Sequence, residues 1–247
     1  MDYKLFSTIS SILISLFMIV TNSIDFNPVR FHCENYILNS YLYLFIAIAI
    51  LMSTVFSMDN LNITLNGLFT GPYRFLLLLL SIILVVVLTM LPAKYFFTKH
   101  ILWLIWTALL GTFIYPTYKQ NPGLFYNSAL TTAAIVTLLS ILAFVKPELI
   151  SDNWNFTLFI LLAGLFISQV VEMILKSKGI IHSNKYHKLI SYGTVILFSF
   201  FILYDTKSII KNSKLCGISI EPDYINQSMD ILLDSLNIFL GTVNIKD

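Results

Sequence analysis

Phe201-Ile-Leu-Tyr-Asp-Thr-Lys207 and Ile231-Leu-Leu-Asp-Ser-Leu-Asn-Ile-Phe239 each set one carboxylate inside an apolar run. A carboxylate at bilayer depth costs several kcal/mol, so such a residue normally faces a bundle interior or a water path and carries function. Composition says whether Asp205 and Asp234 reach that depth. Of 247 residues, 57% are hydrophobic and only 11% charged, about half the charged fraction of a soluble domain. The mean hydropathy is +0.81. This is the composition of a polytopic membrane protein, with room for roughly seven or eight spans of about 20 residues and no soluble domain of typical size.

Apolar runs at 5–20, 38–58, 74–92, 101–118, 127–146, 155–175, 189–210 and 228–243 are separated by breakers such as Asn66-Gly67, Asn121-Pro122-Gly123, Lys146-Pro147 and Glu221-Pro222. Their length suits helices rather than membrane strands, which need about ten residues of alternating polarity. The expected fold is an all-α membrane helix bundle, with 1–37 as an amino-terminal hydrophobic helix and loop and 38–247 as the main bundle. The run 5–20 follows Lys4 like a signal peptide, but Thr21 and Ser23 make a poor cleavage site, so a retained helix is expected. The 15 basic residues divide eight against seven between alternating loops, which assigns no orientation. They form no patch, and no nucleic-acid partner is expected.

Taking the seventh run to end near Lys211 and the eighth to begin near Ser228, Asp205 and Asp234 each lie six residues in from the intervening loop. At about 1.5 Å per residue both sit roughly 9 Å along their helices. Antiparallel neighbours would bring them together. On the eighth run Asp230, Asp234, Asn237 and Gly241 fall at i, i+4, i+7 and i+11 and line one face. On the seventh, Ser208 and Thr194 roughly share the Asp205 face, with Tyr204 adjacent. The competing reading has Asp205 capping or snorkelling near an interface beside Lys207 or Lys211.

Other chemistry is thin. Cys33 and Cys216 lie in expected loops, match no metal spacing and give no support to a disulfide framework, although their loops fall on one side if the runs span. His182 and His187 are expected as solvated loop residues, and His32 and His100 as isolated ones. Glu172 is expected to pair with Lys176 at i+4. Gly111 and Pro116 allow close packing or a kink. No nucleophile triad or phosphate loop can be assembled.

Ile202-Leu-Tyr-Asp-Thr-Lys-Ser-Ile-Ile210 and Leu232-Leu-Asp-Ser-Leu-Asn-Ile-Phe-Leu240 resemble the last two helices of the Bax inhibitor-1/lifeguard family. The stretch from Ser128 to Ser140 looks like that family's fourth helix and Ile190 to Ser199 like the start of its sixth, so the resemblance covers about 120–244. It implies seven helices, six around the motif-bearing last one, with 5–20 as an additional helix. It further implies a proton-sensitive pair, Asp205 and Asp234, gating a calcium leak, together with suppression of cell death in an endomembrane such as the endoplasmic reticulum. No basic residue lies inside 75–92 to engage the pair, and Arg74 stands only at its margin.

Two carboxylates a few ångström apart in low dielectric cannot both ionise cheaply, so they share one proton and sense pH. Calcium prefers carboxylate oxygen, which makes the pair a transient calcium site as well as a latch. No tightly bound cofactor is expected. The partners expected are lipid, calcium, protons and other membrane proteins of cell-death control. An alternative is a non-conducting bundle that acts only through such proteins. Intramembrane aspartyl proteolysis is disfavoured, because Asp234 follows Ile231-Leu-Leu rather than Gly-x-Gly and the chain has no Pro-Ala-Leu. The chain is therefore expected not to be an enzyme.

Overall fold

The computed structural model describes residues 24–26, 29–63, 72–179 and 184–246. The run 5–20 and His182 lie outside them, as does the side chain of Arg74. A short antiparallel hairpin, β1 (Ile24–Phe26) and β2 (Val29–Phe31), precedes seven long helices among the described residues. These are α1 (Tyr36–Asn60), α2 (Pro72–Met90), α3 (Phe96–Gln120), α4 (Pro122–Val145), α5 (Trp154–Ser177), α6 (Asn184–Leu215) and α7 (Tyr224–Lys246). The protein is an all-α, multi-pass membrane protein, as its composition requires.

Helices satisfy every backbone group within the segment, which hydrocarbon demands. α2 and α4 start on Pro72 and Pro122, where the missing N–H would be unpaired anyway. Just past the end of α1, Asn62 at φ 50° closes the helix: its N–H bonds Asp59 O while Ile63 N–H bonds Met58 O, a closure that uses asparagine where glycine is usual. Five of the seven helices are long and apolar enough to span, and α2 carries the shorter apolar stretch Phe75–Met90. Phe156, Phe159, Phe166 and Ile167 of α5 are exposed, as side chains that meet lipid should be.

Two compact units make up the chain. The first comprises 1–122 and 212–229, with α1 and α2 packed on α3. Gly111 is required there, because a Cβ would come 2.7 Å from Leu51 O of α1. Tyr43, Trp103, Trp106 and Tyr224 are almost fully buried. His100 is not isolated as expected: its Nε2 lies 2.6 Å from Tyr43 Oη within this aromatic core. The disulfide expectation is also corrected, because Cys33 and Cys216 are bridged. A separation of 183 residues hides that pairing from any spacing rule.

The second unit comprises 123–211 and 230–247. Ala143, Ile150 and Leu203 form an apolar cluster, and Phe125 meets Phe239 edge-on with ring centroids 5.2 Å apart. Glu172 is buried and pairs with Lys176 at 2.6 Å, as expected. His187 lies within α6 rather than a loop, and its Nδ1 is 2.9 Å from Glu172 Oε1. The helix begins at least five residues earlier than hydropathy indicates because its first turns are polar.

Candidate functional site

The acidic pair is built by α6 and α7. α6 runs to Leu215 and α7 starts at Tyr224, so Asp205 lies ten residues before one end and Asp234 ten residues after the other. Their matching depth survives the longer helices, but it becomes roughly 15 Å along each helix. The two carboxyl groups lie within hydrogen-bonding reach of each other. Two carboxyl groups can hydrogen-bond only if one carries a proton, since an ionised carboxylate has no donor. Asp234 is 6% exposed, and its Oδ2 is buried without a partner among the described residues.

Gly241 explains how the helices come so near. A Cβ on it would meet Val195 Cγ2 at 2.8 Å and Ser191 O at 3.2 Å, so α7 lays its small residue against the α6 backbone. Asp230, Asp234, Asn237 and Gly241 therefore form a face that is exposed at Asp230, buried at Asp234, half-buried at Asn237 and closed at Gly241. Asp230 is close enough for its charge to act on Asp234. Asn237 turns its amide along its own helix, where Nδ2 donates to Leu233 O at 2.8 Å. Ser208 is half-buried, and Tyr204 packs against the Ala143, Ile150 and Leu203 cluster.

Lys207 does not serve Asp205. Its ammonium donates to Ile150 O and sits 2.8 Å from Asp152 Oδ1. The Lys207 hydrogen bond holds the Asp152 carboxyl below its ordinary value. Thr206 and Ser140 add a buried hydroxyl pair, 3.4 Å apart, that sequence reasoning passed over. Its signal in the sequence was a hydroxyl residue next to the acid in an apolar run, Thr206 beside Asp205.

A further buried charge lies in the first unit. Lys99 is completely buried, and its Nζ donates to Leu91 O at 2.7 Å and to Asp223 Oδ2 at 2.5 Å. Burial raises the Asp223 carboxyl above its ordinary value, although Lys99 opposes the shift. Lys99 was missed because the expected run began at residue 101, which left the lysine in a loop.

A multi-pass helical membrane protein whose last two helices meet through a pair of acids, Asp234 buried and Asp205 half-buried, is the class that fold and site define. The chain belongs to the Bax inhibitor-1 family: residues 33–245 match the family described as inhibitor of apoptosis-promoting Bax1. It is 30% identical over 144 residues to the growth hormone-inducible transmembrane protein of Rattus norvegicus, an alignment covering 58% of this chain and 41% of that protein. The matched residues thus span less than half the length of that relative.

Proposed function

We propose that this protein is a pH-sensitive calcium leak that modulates cell death from an endomembrane such as the endoplasmic reticulum, acting as a conduit and not as an enzyme. The observation that carries this reading is the close approach of the Asp205 and Asp234 carboxyl groups, at matching depth on paired helices. With one shared proton the pair is a latch. Without it, two negative charges about 4 Å apart repel by about 4 kcal/mol at an effective dielectric of about 20. That is enough to bias a helix pair between two arrangements.

Calcium would relieve the same repulsion, because a hard cation seeks carboxylate oxygen. The unpartnered Oδ2 of Asp234 is available to it, and the exposed Asp230 supplies a further negative charge on the approach. Ser208, Asn237 and Tyr204 are the supporting polar groups of this reading.

Purified protein in liposomes loaded with a calcium dye tests it. Asp205→Asn and Asp234→Asn are each expected to flatten the pH dependence of calcium flux. Unchanged flux and unchanged pH dependence in both variants would remove the gate. Absence of flux from the unaltered protein, with protection of cells retained, would favour a non-conducting interaction protein.

A further inference from the structure

The segment 216–223 between α6 and α7 is pinned at both ends. Cys216, directly after Leu215, is bridged to Cys33, with Cα atoms 5.5 Å apart. Asp223, directly before Tyr224, is held by the buried Lys99 ammonium. The next residue continues the closure: the Tyr224 hydroxyl donates to His32 O, one residue from Cys33, and the Tyr224 ring lies 5.4 Å from that of Tyr36. Lys99 also takes the carbonyl of Leu91, so the turn between α2 and α3 belongs to the same end of this unit.

Two physical facts act on this arrangement. An ammonium with no solvent exposure is tolerable only while its carboxylate partner stays in place, because either charge alone in a dry site is strongly unfavourable. A disulfide persists in oxidising compartments and is opened by the thiol pools of the cytosol. We propose that the Cys33–Cys216 bridge is a redox-operated fastener that keeps the Lys99–Asp223 ion pair shut, and that this end of the unit lies on an oxidising, non-cytosolic side of the membrane.

Closure is a thiol–disulfide exchange with a low-molecular-weight disulfide or the oxidised form of a dithiol protein. One thiolate attacks the partner disulfide, and the second then displaces the partner from the mixed disulfide. Two electrons and two protons pass from Cys33 and Cys216 to the partner, which leaves as two thiols. Opening is the reverse, driven by a dithiol. This proposal is independent of the calcium reading.

The chain has only two cysteines, so every reactive thiol is assignable. Full-length protein in sealed vesicles with the cytosolic face outward is treated with a polyethylene-glycol maleimide. No shift is expected before reduction or after a membrane-impermeant phosphine is added outside, and two additions are expected once detergent admits the phosphine. Labelling before reduction, or opening while a lumenal control protein stays oxidised, overturns the sidedness. Acetylation of Lys99, followed by peptide mass spectrometry, tests the coupling. Reduction of the unaltered protein is expected to speed acetylation by about tenfold or more through local opening. The Cys33→Ser/Cys216→Ser variant is expected to react at the faster rate throughout. Equal rates in reduced and oxidised protein overturn the fastener.

Discussion

Each unit contains a lysine that grips a backbone carbonyl and an aspartate, and the two clamps behave oppositely. Lys99 holds Leu91 O and Asp223 where its own side chain has 0% exposure, whereas Lys207 holds Ile150 O and Asp152 where the aspartate side chain is 68% exposed. At Asp223 burial outweighs the lysine and raises the carboxyl; at Asp152 the lysine hydrogen bond dominates and lowers it. The ligand set is the same, so the surroundings decide the sign. A salt bridge is therefore informative only together with the water it excludes.

The comparison breaks most visibly at Lys99. Lys99→Met strands Asp223 and is expected to cost about 3–5 kcal/mol, read as a lower thermal midpoint in detergent. Adding Asp223→Leu to Lys99→Met should recover most of that loss, because a buried ion pair replaced by apolar groups is often neutral or stabilising. A double variant as unstable as the single one would mean that the pair does more than neutralise itself.

A gentler probe is pH. Folded protein with a raised Asp223 binds more protons than unfolded protein, so its contribution falls as pH rises from the unfolded value of about 3.8 through the raised folded value, then levels off. Asp152 has the reverse sign: its contribution is present above about pH 3.8 and is lost as pH falls through the lowered folded value. Stability against pH should therefore lose a decline in Asp223→Asn and lose a rise in Asp152→Asn. The smallest effect belongs to Lys207→Met, which breaks an ion pair whose aspartate is open to solvent and is expected to cost only about 1 kcal/mol in the same thermal-midpoint measurement, chiefly through the lost hydrogen bond to Ile150 O.

Much of this was legible in the residues. Asp205 and Asp234 stand out because each interrupts a run that is otherwise apolar, and the i, i+4, i+7, i+11 stripe points Gly241 and Asp234 in one direction. Helix ends were less legible. α7 opens with Tyr224-Ile-Asn-Gln and α6 with Asn184-Lys-Tyr-His, polar turns that dilute hydropathy although the backbone is already helical. The Lys99–Asp223 pair spans 124 residues and the disulfide 183, and local pattern carries no information about partners so distant. The Glu172–Lys176 pair was legible because helical geometry alone fixes it, whereas the third member, His187, arrives from another helix.

The length of α6 has a consequence of its own. Thirty-two residues extend about 48 Å, against a hydrocarbon slab of about 30 Å. Leaning alone would need roughly 50°, more than the usual limit of about 40° for such rods, so at least one end juts past the acyl chains. How far Asp205 is submerged is thus set partly by the host bilayer: a thick, sterol-rich leaflet pair would sink it, and a thin one would lift it towards the headgroups.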